Sequence, residues 1–199
     1  IGESPWLCAK YDDNGNILDD PAHEYWIKKF LRLMSKEGDL IDGIAVHSYP
    51  YYPRWKGQTT DVWDAKQAFS KVAFLRKYMG MYKQWLKEYY PAKANRMDIA
   101  LTEYHVQVAE TWVTADVPGA VFVANFLAEF IKDGGTIASG WDINTMKPGD
   151  GGGHGLLDPN NDPTEPYAER AKYWAYKMMA NNFTGELVPA VSNNLKVAV

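Results

Sequence analysis

Cysteine is all but missing from this chain: Cys8 is the single one among 199 residues. An internal disulfide and any multi-cysteine metal site are thereby excluded. Long apolar runs are missing as well, and no stretch approaches the roughly 20 residues that span a bilayer. Positive charge is not in excess: Lys+Arg 21 against Asp+Glu 25 leaves a formal net charge of -4. That balance argues against nucleic acid or an anionic membrane as partner, because both need clustered cations. Repeats, low-complexity tracts and long charge blocks are not found. The opening Ile1-Gly2-Glu3-Ser4-Pro5 has no Met and no basic-then-apolar leader, and the closing Leu195-Lys196-Val197-Ala198-Val199 reads as a strand that stops abruptly. Both ends read as cut, so the expectation is a processed chain or a piece of something longer.

Aromatic residues are plentiful: 8 Trp, 13 Tyr and 7 Phe. Core packing accounts for part of them; carbohydrate clefts also use flat rings, on which sugar C–H faces stack. Strand and helix signals alternate along the chain. A helix is expected from Asp20 to Lys36, with Ile27, Phe30, Leu31 and Met34 at the spacing of one buried face and Asp20-Pro21 as its start. A short strand follows at Ile41–His47. The longest helix is expected over Trp63–Tyr89, with Gly80 weakening its middle. A second strand, Met97–Glu103, precedes a helix from about Pro118 to Lys132, stopped by Gly134-Gly135. Thr136–Trp141 reads as a third strand. A last helix, about Glu165 to Ala180, is expected to bury Tyr167, Ala171, Trp174, Ala175 and Met178. Near-continuous apolar strands between helices predict an α/β fold with a parallel sheet. With Ile1-Gly2 as the tail of one more strand, about four strand–helix units are present. A whole (β/α)8 barrel needs roughly 250 residues, so half a barrel fits better; the competing architecture is a small open three-layer α/β sheet. Gly185–Val188 and Leu195–Val199 read as two antiparallel strands. The expected division is therefore 1–183 as the half-barrel and 184–199 as the start of a β-sandwich.

The chemistry-bearing residues gather at strand ends. His47-Ser48-Tyr49, Thr102-Glu103-Tyr104-His105 and Trp141-Asp142 each follow an apolar strand, and the C-terminal edge is where parallel α/β folds build their sites. Glu103 is the leading candidate: a carboxylate there serves as nucleophile, general base or metal ligand. The plain alternative is a strand-end Glu paired with a cation. His47 and Tyr49 are two apart and share a strand face, from which both can reach a neighbouring carboxylate; a satisfied core histidine is the alternative for His47. Trp141 can floor a sugar subsite or simply pack, and Asp142 points away from the Trp141 face if the strand continues. A His47/His105/Glu103 metal site is conceivable, but no H-E-x-x-H occurs. The glycine-rich Gly149–Gly155 lacks the Lys-Ser/Thr of a phosphate loop and reads as a substrate loop or simple turn. No G-x-S-x-G is present. Asn182-Phe183-Thr184 is a glycosylation triplet, weak by itself.

Ile44-Ala45-Val46-His47-Ser48-Tyr49, Ile99-Ala100-Leu101-Thr102-Glu103-Tyr104 and Gly140-Trp141-Asp142 resemble strands six, seven and eight of clan A (GH-A) retaining glycoside hydrolases. The resemblance covers nearly the whole chain and is specific to the clan, not to a family. It implies the C-terminal half, about strands 5–8, of a (β/α)8 catalytic barrel, with Glu103 as nucleophile. His47 and Tyr49 match a His-x-Tyr pair ending strand six, and Trp141 the aromatic beneath the sugar; Tyr104 and His105 are further expected substrate contacts. Loop aromatics Tyr51, Tyr52, Trp55 and Trp112 would extend the cleft. The clan's acid/base is a Glu after Asn ending strand four; no Asn-Glu occurs here, and Glu3 fits strand five instead. The implied partners are a carbohydrate substrate and the remaining half of the barrel, from the same precursor or a second chain. No cofactor or metal is expected, and the setting expected is secreted or extracytoplasmic. Two other classes remain open: a non-catalytic glycan-binding half-barrel, and a metal-dependent hydrolase on a small α/β fold.

Overall fold

The computed structural model describes residues 2–3, 25–51, 65–106, 112–144, 153–158, 166–186 and 188. Within them four strands form one sheet in the order β1-β2-β3-β4: β1 is Gly2–Glu3, β2 Gly43–Ser48, β3 Asp98–Tyr104 and β4 Ile137–Ala138. All three pairings are parallel. Each strand lies beside its sequence neighbour, so every connection is a crossover that must carry the chain back over the sheet. The helices do this: α1 (Trp26–Met34) between β1 and β2, α2 (Ala65–Ser70) and α3 (Val72–Tyr89) between β2 and β3, α4 (Trp112–Ala115) and α5 (Val117–Lys132) between β3 and β4, and α6 (Ala171–Asn182) after β4.

The core lies between sheet and helices. Ile44 and Val46 on β2 and Ile99 and Leu101 on β3 alternate with half-buried neighbours and meet Ile27 and Leu31 of α1, Leu75 and Met79 of α3 and Phe126 and Phe130 of α5. Period-2 strands feeding period-3.6 helices bury one face of each. The opposite face of the sheet is less covered: Ala45, Ala100 and Thr102 are half-buried, and Ile137 on the edge strand is exposed.

The expected helix over Trp63–Tyr89 is found from Ala65 onward, but it tightens at Lys71, not at Gly80. Lys71 N–H bonds to the Ala68 carbonyl and Phe74 N–H to that of Lys71, both i→i+3 bonds that mark a local 3₁₀ turn. Gly80 lies inside α3 without interrupting it. For α5, the Asp116 carboxylate accepts the Val117 N–H at 2.6 Å, Pro118 sits in the first turn, and Gly134 at φ 76 closes the end. The first helix is observed only from Trp26; residues 20–24 lie outside the described ones.

Two expectations are corrected. The third strand is two residues long, since among the described residues β4 is an edge strand paired with β3 alone, through Thr136 N–H to Ile99 O and Ser139 N–H to Leu101 O. The last helix starts at Ala171, because residues 168–170 bond instead to the loop at 156–158: Asp158 N–H to Ala168 O and Arg170 N–H to Leu156 O. Its buried face is also different. Tyr167, Trp174 and Met178 are exposed, while Lys172, Tyr176 and Met179 turn inward at i, i+4, i+7 spacing. The stretch 184–199 is described only at 184–186 and 188, so its expected strands and domain boundary lie outside the described residues.

Candidate active site

Strict alternation along β3 would put Glu103 on the side of Ile99 and Leu101, beneath the helices. The ladder prevents this. Val46 pairs with Leu101, but His47 pairs with Glu103, so Thr102 has no counterpart on β2. Such a bulge reverses the side on which each later residue emerges. Glu103 is thereby delivered to the face of His47 and Tyr49, and Tyr104 to the helix side, where it stacks on Phe126 at 6.1 Å between centroids.

Glu103, His47 and Tyr49 meet at one point. The Tyr49 hydroxyl donates to Glu103 Oε2 at 3.2 Å, and His47 Nδ1 lies 3.3 Å from the same oxygen. The carboxylate is 32% exposed and the imidazole 27%, so the group is held yet open to a ligand. Burial first, then the Glu103 carboxylate, pushes the Tyr49 hydroxyl well above the ordinary phenol range, so it stays a proton donor to that oxygen. Beyond Tyr49 stands His154, nearly fully buried, its ring 5.9 Å from that of Tyr49 and 5.1 Å from that of His105. The described part of the glycine-rich loop thus packs an imidazole under the site.

Trp141 lies three residues beyond β4 and is half exposed, and the Trp141–Asp142 peptide bond is cis. Its carbonyl accepts a hydrogen bond from Lys172 Nζ at 3.2 Å. Tyr104 and His105 are not brought to the cleft: they are 1% and 0% exposed. The Tyr104 hydroxyl is hydrogen-bonded to that of Tyr176, and burial pushes Tyr176 up to about 12. His105 Nδ1 accepts the Val106 N–H at 2.8 Å, and burial together with the Lys172 ammonium holds its imidazole neutral. The bulge turns Tyr104 to the helix side, while His105, just past the strand, packs against His154 and beside Gly119 of α5. Tyr51 is likewise buried, while Trp112 is partly exposed; Tyr52 and Trp55 lie outside the described residues. Among the described residues no three His, Cys, Asp or Glu side chains are placed to hold a metal ion, so His47, His105 and Glu103 do not form the conceivable metal trio.

Lys172 was not legible as a site residue. It is 1% exposed, and the only signal in the sequence is its i, i+4, i+7 relation to Tyr176 and Met179.

No family model matches the sequence, and no curated protein matches it. Solved structures do match. The chain has the fold of the C-terminal half of a (β/α)8 barrel. It is similar to a monomeric β-xylosidase from Caulobacter crescentus CB15, with 18% identity and a TM-score of 0.55 over 78% of this chain and 31% of that one. It is also similar to a GH51 α-L-arabinofuranosidase from Thermotoga petrophila RKU-1 (21% identity, TM-score 0.55, 76% and 28% covered). A GH51 arabinofuranosidase from Xanthomonas axonopodis pv. citri matches with 12% identity and a TM-score of 0.55, over 89% and 33%. At these identities the likeness is one of fold alone. The chain spans about a third of the length of these structures.

Proposed function

We propose that this chain carries the nucleophile half of a retaining glycosidase site acting on β-linked oligo- or polysaccharide, with Glu103 as the nucleophile. The observation that supports it most is the convergence of His47 and Tyr49 on one oxygen of Glu103. The Tyr49 donor on Oε2, with the His47 imidazole beside the same oxygen, leaves Oε1 as the freer attacking atom and restrains the carboxylate plane, which shortens the search for an attack geometry. In the first step a Glu103 oxygen bonds to the anomeric carbon while the bond to the leaving oxygen breaks. That oxygen takes a proton from a second carboxyl group, about 5–5.5 Å from the first in retaining enzymes. In the second step the same group, now a carboxylate, takes a proton from water. The water oxygen bonds to the anomeric carbon and Glu103 leaves as carboxylate. The second carboxyl group belongs to the remaining half of the barrel, from the same precursor or a second chain. Trp141, its ring half exposed at the edge where the strands end, stacks on the sugar. Neighbours that cleave xylosides and arabinofuranosides make pentosides the first substrates to try.

The test is intact mass of the natively isolated protein before and after incubation with a panel of 2-fluoro glycosides, which trap retaining nucleophiles. An adduct mapped to Glu103 is expected. No adduct on Glu103 while the natively isolated protein hydrolyses the parent glycosides would overturn the assignment; binding of oligosaccharide with no hydrolysis would favour a glycan-binding half-barrel.

A further inference from the structure

Lys172 is a buried cation in the wrong place for a structural residue. It is 1% exposed, and taking an ammonium out of water is costly unless its donors are used. It is also the second residue of α6, where the helix dipole disfavours positive charge. An apolar side chain would be cheaper on both counts. What offsets the cost is on the next strand end: Nζ donates to the Trp141 carbonyl at 3.2 Å, and the Asp142 carboxylate favours the charge.

We propose that Lys172 is a positioning residue, tying the Trp141–Asp142 segment from below so that the Trp141 ring is presented at the open edge of the sheet. The role of Trp141 as a sugar platform rests on the glycosidase reading; the tie itself does not. The charged and titratable groups around the ammonium are Asp142 after β4, Arg170 just before α6, which is paired with Asp158, and His105 after β3, which contacts His154 of the loop. Asp142 favours the charge, Arg170 opposes it, and His105 is held neutral beside it. Burial, the largest influence, brings the ammonium down to about 7. The grip on Trp141 therefore weakens as pH rises through neutrality, where the cation loses its attraction to Asp142.

The intact protein labelled with 5-fluorotryptophan gives the readout, with Trp141→Phe identifying the Trp141 fluorine resonance. That resonance is expected to shift with pH through a transition near neutrality in the parent and to lose the transition in Lys172→Met. In Asp142→Asn the midpoint is expected to move to lower pH, because the charge has lost its counterion. A Trp141 resonance with the parent's position and pH response in Lys172→Met would overturn the proposal. If Lys172→Met does not fold, the Asp142→Asn midpoint decides: a fall supports the tie, and an unmoved or raised midpoint sinks it. Labelling of Glu103 by a fluoro glycoside is indifferent to these outcomes, so the two readings fail separately.

Discussion

The Tyr49 hydroxyl donates to the same Glu103 oxygen, Oε2, that His47, the residue paired with Glu103 across the ladder, faces at 3.3 Å. Tyr49 keeps its proton because burial and the carboxylate both oppose ionisation. Removing the hydroxyl in Tyr49→Phe takes away a hydrogen bond to a charged group, worth about 1.5–3 kcal/mol. With the barrel complete, kcat/KM is expected to fall roughly ten- to a hundredfold, with an unchanged circular dichroism spectrum. Steady-state kinetics on an aryl glycoside checks it; parent-like kcat/KM would remove Tyr49 from the site.

Glu103→Gln keeps the size of the side chain and removes its nucleophilicity. Turnover by the assembled enzyme is expected below about one per cent of the parent rate, with the melting temperature preserved. A higher residual rate, after contamination is excluded by active-site titration, would assign the nucleophile elsewhere.

Two glycines in helices separate packing from propensity. A Cβ added at Gly80 meets nothing within 4 Å, so Gly80→Ala is expected to stabilise by about 0.5–1 kcal/mol through a less flexible unfolded chain. A Cβ at Gly119 would come within 2.2 Å of the Val113 carbonyl oxygen. Gly119→Ala is therefore expected to cost about 1–3 kcal/mol, since α4 and α5 must part. Urea denaturation of the two variants should move the midpoint in opposite directions.

Stability should carry the signature of Lys172. Its ammonium is at about 7 in the folded protein, below the ordinary 10.5. Between those values the unfolded chain binds the extra proton, so this residue makes stability rise with pH there, by up to about 1.4 kcal/mol per pH unit, and contributes no slope below pH 7. Denaturation of the parent and Lys172→Met at pH 6 and pH 9 isolates the effect. The difference between the two pH values should be larger in the parent, and equal differences would show that Lys172 is not held in this state.

The main layers were legible because apolar runs and helical spacing record burial directly. Ile44–Val46 and Ile99–Leu101 stand out as strands, and Val123, Leu127 and their neighbours as a helix face. The catalytic candidates were legible as polar residues at strand ends. The side each one faces was not. Alternation alone sends Glu103 under the helices and Tyr104 to the open face, the reverse of what is found; a single unmatched Thr102 decides the matter and leaves no mark in composition. α6 was misread for a related reason. Its inward stripe carries Lys172 and Tyr176, polar residues whose buried partners, the Trp141 carbonyl and the Tyr104 hydroxyl, lie far away in sequence, while Trp174 and Met178 are outside.

The unmatched threonine makes the site a matter of counting. Loops between strands and helices can lengthen or shorten without disturbing which way Glu103 faces; within β3 the side is set by parity, and Glu103, two residues after Leu101, reaches the open face because Thr102 is passed over in the pairing. Were Thr102 drawn back into an even ladder, Glu103 would become a misfit among Ile99, Leu101 and the aromatic rings of α5; were it deleted, Glu103 would follow Leu101 directly and still emerge on the His47 face. A transplant of this chemistry to another parallel sheet would have to keep that parity, with the acid following a core-facing residue either directly or across one unpaired position, or it would arrive with every functional group present and the essential one facing the grease.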